Sequence, residues 1–229
     1  MAETNLDFQL MNIAELSRWV SGGEDKHLEF KRKARHLDKI ARELVAFANT
    51  DGGHLLVGVD DDGKLFGVKE AEADYFALER FLEQYVKPAL PLKWQLIPIT
   101  SQREVLVLEI LPSKTSPHFL YAQDDGPRQK VAFVRVRDKS VQASREMVRV
   151  LRYLKRKQGV SLRIGEPEQT LLQYLETVPN ITLAEAQKLL NISRRNVSQK
   201  LVLLVSAGLL RLRPGEKADR YSLIQKAFK

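Results

Sequence analysis

The chain has 229 residues, 44% of them hydrophobic, with 37 Lys and Arg against 29 Asp and Glu and no cysteine. This length predicts one or two domains with a substantial core. The lack of cysteine excludes disulfides, thiolate zinc sites and cysteine nucleophiles, and it fits a reducing cytoplasm. The sequence contains no run of 18 apolar residues and begins with an acidic segment, so we expect neither a transmembrane helix nor a signal peptide.

In chain order, the first 160 residues predict an α+β domain with a mixed sheet, joined by hairpins rather than by strict βαβ alternation. Periodicity near 3.6 predicts helices at 12–20, 37–49, 71–86 and 144–156. Alternating or continuous apolar runs predict strands at 28–31, 54–59, 65–68, 94–99, 105–111 and 131–136. In the strand at 28–31, Leu28 and Phe30 are expected to face the core, with Glu29 and Lys31 on the opposite face.

The pattern changes after a linker at 158–165. Three short helices are predicted at 168–177, 182–190 and 193–208, followed by a hairpin of 209–213 with 220–224. Thr182 and Glu185 have the spacing of a capping box at the start of the second helix. This order resembles the winged-helix transcriptional regulators. We therefore predict a first domain at 1–160 and a small winged helix-turn-helix domain at 166–229.

Net charge is concentrated in the middle of the chain. Residues 126–165 hold 12 Lys and Arg against 2 Asp and Glu, whereas residues 1–125 hold 15 against 21 and residues 166–229 hold 10 against 6. A basic block of this density is typical of a protein that binds nucleic acid. The alternatives are a solvated helix face or a contact with a membrane surface.

The candidate DNA contacts are polar side chains that avoid the apolar positions of the last domain. Arginine and lysine suit guanine edges or phosphate, whereas asparagine and glutamine suit adenine. A protein-contact role for the winged helix remains the alternative. The predicted contacts on the third helix and wing are Arg194, Arg195, Asn196, Gln199, Lys200, Arg211, Arg213, Lys217 and Arg220, and those of the central basic block are Arg135, Arg137, Lys155, Arg156 and Lys157.

Five spaced segments resemble the Schlafen-type AlbA-like domain (AlbA_2, also called divergent AAA). They cover about residues 12–145 and read HLEFK at 27–31, AFANTDGG at 46–53, GVDDDGK at 58–64, PSKTSPHF at 112–119 and FVRVRD at 133–138. Arg137-Asp138 replaces the Gly-Ser that is usual after the last strand. The resemblance implies a nucleic-acid-binding fold, sometimes a nuclease. Bacterial members often carry a C-terminal helix-turn-helix and are described as transcriptional regulators or ATP-binding proteins.

The nuclease branch of these relatives implies three carboxylates, which by motif match are Glu24, Glu29 and Asp60. Carboxylate oxygens of this kind suit Mg²⁺ or Mn²⁺, and such an ion would activate water beside a phosphate. The structural alternative is that Glu24 caps a turn, Glu29 pairs with Lys31 or Arg135, and Asp60 sets the hairpin. Mg²⁺ or Mn²⁺ is expected only if the protein is a nuclease.

Two further motifs are discounted. Residues 58–64 satisfy GxxxxGK, but Leu65 stands where a P-loop has Ser or Thr, and Asp60, Asp61 and Asp62 would repel phosphates. The four histidines lack zinc-site spacing.

The leading hypothesis is a homodimeric transcriptional regulator that binds duplex DNA on a near-palindromic site. A metal-dependent nuclease acting on RNA or DNA is the first alternative, and a protein-interaction module or ATP-binding regulator is the second.

Overall fold

The computed structural model describes residues 11–122, 129–155, 162–215 and 217–224. The chain divides into two compact units, Met1–Ser140 and Val141–Lys229. In the described part, no helix is both long enough and apolar enough to span a membrane.

The helices and strands follow the order expected of an α+β protein. The helices are α1 (Ile13–Val20), α2 (Leu37–Ala48), α3 (Ala71–Tyr85), α4 (Arg145–Leu154), α5 (Glu166–Thr177), α6 (Leu183–Leu190) and α7 (Arg194–Ser206). The strands are β1 (Leu28–Lys31), β2 (Gly53–Val57), β3 (Val86–Lys87), β4 (Leu92–Thr100), β5 (Arg103–Ile110), β6 (Phe119–Tyr121), β7 (Lys130–Val131), β8 (Phe133–Val136), β9 (Lys139–Gln142), β10 (Ile181–Thr182), β11 (Leu210–Arg213) and β12 (Arg220–Leu223).

The first unit is built on a four-stranded mixed sheet in the order β1-β2-β5-β4. Strands β1 and β2 run parallel with Leu28 opposite His54, and α2 connects them. Strand β5 then runs antiparallel to β2 and β4. The parallel pair requires a crossover, which α2 supplies, while β4 and β5 are joined by a short turn.

Both faces of this sheet are covered. Side chains such as Leu55 and Leu108 pack against α2 and α3 on one face. Side chains such as Phe30 and Val107 pack against Leu16 of α1 on the other face. Period-two alternation along each strand separates these two layers. A capping box between Asn12 and Glu15 fixes the start of α1, so that its apolar stripe meets the sheet.

Two adjacent glycines connect α2 to β2. Gly52 has φ +78°, a left-handed conformation that a side chain rarely adopts. Gly53 lies so close to its neighbours that a Cβ there would come within 2.5 Å of the Phe47 ring. The turn therefore joins the end of α2 closely to the start of β2. The backbone conformation of Gly52 and the close packing around Gly53 are enough to explain both glycines.

The second unit has its own apolar core. Leu171, Ala186, Val197 and Leu201 of the helices meet Tyr221 of the three-stranded sheet, whose order is β10-β12-β11. Helix α4 also packs on α7, and its Val150 belongs to this core. The helix at 145–154 therefore packs with the helices that follow it. The domain limits 1–160 and 166–229 stay a prediction.

The α+β class and the mixed sheet are confirmed. The segment at 65–68 was expected to be a strand, but it forms only isolated bridges, from Leu65 to Val59 and from Val68 to Glu104. The segment at 58–64 closes as a turn, with Gly63 N donating to Asp60 O, and no helix begins directly after it, since α3 starts only at Ala71. That geometry agrees with the rejection of a P-loop, because a P-loop leads into a helix N-terminus.

Candidate nucleic-acid interface

The start of α7 presents a polar surface. Ser193 Oγ accepts a hydrogen bond from Asn196 N, which fixes the first turn, and Asn191 ends α6 in the left-handed conformation with φ 49°. Arg194, Arg195 and Asn196 are exposed. The buried positions of the same helix face the core, so the exposed groups are held on the opposite side by helical periodicity.

Two contacts restrict the rest of α7. Lys200 Nζ lies 2.6 Å from Glu168 Oε1 and is only 26% exposed, so this predicted DNA contact is already paired within the unit. Ser198 Oγ donates to Glu146 Oε1 and accepts from Arg149 Nη1, at 2.6 and 3.0 Å. These bonds tie α7 to α5 and α4. Gln199, by contrast, is exposed beside the first turn.

The remaining predicted contacts differ in accessibility. Arg211, Arg213 and Arg220 lie on one face of the β11–β12 pair and are exposed, as is Lys217 in the loop between the two strands. Arg137 is exposed with φ 57°, and Lys155 is exposed just after α4. Arg156 and Lys157 lie outside the described residues.

Arg135 was predicted to contact DNA, and the structure shows that this prediction is wrong. Its side chain is 0% exposed, and its Nη1 lies 3.0 Å from Glu29 Oε2 and 2.8 Å from Glu43 Oε2. Its Nη2 donates to the carbonyl oxygen of Asp25. A guanidinium enclosed in this way has no surface to offer to DNA. It instead joins β8 to β1 and α2.

The carboxylates around Arg135 form one buried cluster. Glu29 also contacts Lys31, and Ser140 Oγ donates to Glu43. Burial raises the pKa of Glu29 above its usual value, the charges of Glu43 and Glu24 raise it further, and the hydrogen bond from Lys31 opposes them. Glu29 was expected on a face away from the core, but it is buried because Arg135 reaches it from β8.

The other two predicted metal ligands have structural roles. Glu24 Oε1 accepts a hydrogen bond from Phe30 N at 2.7 Å, so it caps the turn before β1. Asp60 Oδ2 lies 3.1 Å from Arg32 Nη1. Over the ranges that the structure describes, no three His, Cys, Asp or Glu side chains are grouped so that they would hold a metal ion. Because Glu24 accepts from Phe30 N, Glu29 pairs with Arg135 and Asp60 contacts Arg32, this donor set does not fit Mg²⁺ or Mn²⁺.

A family model supplies the decisive comparison. The model described as Schlafen, AlbA_2 matches residues 24–144, slightly more than half of the chain. The protein belongs to the Schlafen AlbA_2 family. The match contains the whole Arg135 cluster. It excludes α1 and the helices α4, α5, α6 and α7.

Two solved structures are similar to this AlbA_2 protein. The N-terminal domain of a RecG-related protein from Nitrosomonas europaea aligns with 59% of this chain and 94% of its own, at 21% identity and a TM-score of 0.42. The DIP2311 protein from Corynebacterium diphtheriae aligns with 80% of this chain and 33% of its own, at 16% identity and a TM-score of 0.44. Both likenesses concern the fold, and neither assigns an activity to this chain.

A second buried polar cluster in the AlbA_2 domain was not foreseen from the sequence. His118 Nε2 lies 2.6 Å from Ser113 Oγ, and its Nδ1 lies 2.8 Å from the Pro88 carbonyl oxygen. Asn49 bonds both the backbone N–H and the carbonyl of His118. Ser113, in the segment PSKTSPHF, is only 3% exposed. The short spacing of Pro112, Pro117 and His118 signals a constrained turn, but it does not reveal that the turn packs on α2.

A cavity of about 310 Å³ lies where α1 meets the AlbA_2 sheet, and it is lined by residues that include Trp19, Asp25, His27 and His54. The rings of Trp19 and His54 meet edge to face at 4.5 Å. Burial lowers the pKa of His54 to about 4, and the nearby charge of His27 adds to this effect. His54 is therefore neutral at pH 7, although Glu109 Oε1 lies 3.7 Å from its Nε2.

The lowered pKa of His54 predicts a pH-dependent stability. Because the folded-state pKa lies below the ordinary value of 6.5, the contribution is complete above pH 6.5 and is lost as pH falls toward 4. We expect the wild type to lose about 2–3 kcal/mol more than His54→Gln over this interval. Urea unfolding at several pH values measures the difference. The control His36→Gln, at an exposed imidazole, keeps the wild-type dependence, and equal profiles for the wild type and His54→Gln would contradict the assignment.

Proposed function

We propose that this protein binds duplex DNA through its second unit and regulates transcription. The observation that carries the proposal is the exposed Arg194, Arg195 and Asn196 at the first turn of α7. Helix-turn-helix proteins contact base edges with the N-terminal residues of the second helix. Helix α6, the turn at Asn191 and helix α7 follow one another in that order, and the antiparallel strands β11 and β12 come next in the chain, which supports the proposal.

The chemistry of this turn favours DNA over a neutral partner. Two guanidinium groups suit phosphate oxygens or the O6 and N7 acceptors of guanine, and the Asn196 amide suits adenine. No acidic residue lies in the first turn of α7. Anionic phosphates are favoured near a helix N-terminus, since the backbone N–H groups there point outward. Binding as a homodimer to a near-palindromic site is part of the same proposal.

Salt dependence tests the proposal directly. We expect the full-length protein to bind duplex DNA with a log–log salt slope of magnitude about 2–4, because each neutralised phosphate releases counterions. Fluorescence anisotropy with a labelled duplex between about 50 and 200 mM salt measures the slope. Selection from a random duplex pool then reports whether one site is preferred, which a regulator requires.

Double-stranded RNA of matched length is the control ligand. Its deep, narrow major groove does not admit a helix, so we expect it to bind at least about tenfold more weakly than DNA. Equal affinity for the two duplexes, or no preferred site in the selected pool, would contradict the proposed function.

A further inference from the structure

The outer face of the sheet in the second unit carries three arginines. Arg213 on β11 stands directly opposite Arg220 on β12, and Arg211 stands opposite Ser222 on the same face. The intervening residues, Leu212 and Tyr221, point into the apolar core and are buried. Strand alternation therefore places all three guanidinium groups on one side.

These positive charges have few internal partners. In the described part of the chain, Arg211 and Arg213 make neither a hydrogen bond nor an ion pair, while Arg220 Nη1 donates to Asn180 Oδ1 at 2.7 Å and its charge also interacts with Glu185. Like charges directly opposite one another on a sheet are destabilising, and arginine does not lose its proton. An anionic ligand would remove this repulsion.

The arginines line a cavity rather than a flat surface. It has a volume of about 790 Å³, and its opposite wall runs from the end of α5 through Val178 and Pro179 to Asn180. This volume lies within the range of small-molecule sites, about 300–1,000 Å³. Glu176 and the carbonyl end of α5 disfavour an anion on that wall. The phosphates of a ligand would therefore lie on the arginine side.

We propose that this cavity binds a ligand with two or more adjacent phosphate groups, held by Arg211, Arg213 and Arg220. Guanidinium groups match phosphate oxygens in bidentate geometry, and three of them suit more than one phosphate. This phosphate site goes beyond the proposed DNA binding and does not depend on it, because no residue from the first turn of α7 lines the cavity. These arginines then form a second anion site, separate from the groove contacts expected of Arg194 and Arg195.

Inorganic tripolyphosphate is the probe, measured on the full-length protein by calorimetric titration and by thermal unfolding. We expect it to bind the wild type and raise its Tm, since a ligand of the native state stabilises it. The double variant Arg213→Gln/Arg220→Gln should lose affinity about tenfold or more while remaining folded, because both side chains are exposed and their mutual repulsion is removed.

The matched control is Arg163→Gln/Lys188→Gln, which removes the same charge from two other exposed positions of the unit that do not line the cavity. It should bind tripolyphosphate as the wild type does. The proposal is overturned if the wild type does not bind, if the sheet variant binds equally well, or if the control loses affinity to the same degree. Tripolyphosphate binding without duplex binding contradicts the proposed function alone, and the reverse result contradicts this site alone.

Two further ligands identify the natural source of the phosphates. ATP binding more tightly than tripolyphosphate would assign the cavity to a nucleoside polyphosphate. A short single-stranded oligonucleotide binding more tightly than ATP would assign it to a nucleic-acid strand. In both cases the variant Arg213→Gln/Arg220→Gln should abolish the additional affinity over tripolyphosphate. If that additional affinity survives in the variant, the assignment of the site is overturned.

Discussion

Replacing Arg135 with alanine should lower the free energy of unfolding by about 3–5 kcal/mol, because it leaves two buried carboxylates without their shared cation. Glu29 is 7% exposed and Glu43 is 3% exposed, so water cannot take the place of the guanidinium. The variant also loses the hydrogen bond to the Asp25 carbonyl, which holds the turn before β1. Urea denaturation of the full-length protein at pH 7 measures the loss.

The matched control for Arg135 is Arg42→Ala. Arg42 contacts the same carboxylate, with Nη2 2.9 Å from Glu43 Oε1, but its side chain is 43% exposed. Solvent screens the Arg42 side of this pair, and Arg135 remains to neutralise Glu43, so this variant should lose less than about 1 kcal/mol. If Arg42→Ala and Arg135→Ala lowered the free energy of unfolding equally, the burial of Arg135 would not be the reason for its contribution to stability.

Acid pH provides a second check on the Arg135 variant. The pKa of Glu29 is already raised by burial, and loss of the cation would raise it further. Between the ordinary carboxyl pKa and the raised one, the folded state binds more protons than the unfolded state, so stability falls as pH rises. The loss of unfolding free energy in Arg135→Ala, relative to the wild type, should therefore become smaller as pH is lowered through this interval. The triple variant Arg135→Met/Glu29→Met/Glu43→Leu should recover much of the stability at pH 7, since no charge remains buried.

The Arg135 cluster also shows where sequence reasoning ended. Arg135 was assigned to a basic surface because it lies in a positively charged segment, and charge alone does not report burial. The stated alternative, that Glu29 pairs with Lys31 or Arg135, is the arrangement that the structure shows. Glu43 carried a usable signal: it lies three residues after Ile40 and four before Phe47, on the apolar face of α2. Its partner is 92 residues away in the chain, a distance that periodicity cannot bridge.

Elements with a strong local pattern were predicted well. The helices α1, α2 and α3 follow from apolar residues at helical spacing, and β5 follows from a continuous apolar run. The two-residue strands β3 and β7 are too short to show any period, and they exist because β6 pairs with both. The exposure of Arg194 and Arg195 was predictable, because Val197 and Leu201 define the buried side of α7.

Substituting Arg194 and Arg195 together with alanine should weaken duplex DNA binding by about 30- to 1,000-fold. Each arginine that contacts a base edge contributes about 1–3 kcal/mol of discrimination, and each phosphate contact adds to the salt-dependent part of the affinity. Both side chains are exposed and α7 keeps its Ser193 cap, so the fold should be unchanged. Anisotropy titration against the selected duplex measures the loss, and thermal unfolding verifies the fold.

Comparing the loss of DNA affinity among variants distinguishes recognition in the DNA groove from general attraction by positive charge. The control Arg163→Ala/Lys188→Ala removes two exposed cations from other positions in the same unit, and it should weaken binding less than about threefold. Asn196→Ala should reduce the preference for adenine at one position of the site, with a smaller effect on unselected DNA. If the Arg194→Ala/Arg195→Ala protein bound duplex DNA as the wild type does, α7 would not be the DNA-contacting helix. A partner protein would then be the better explanation of its exposed first turn, since charged groups there would serve a protein interface equally well.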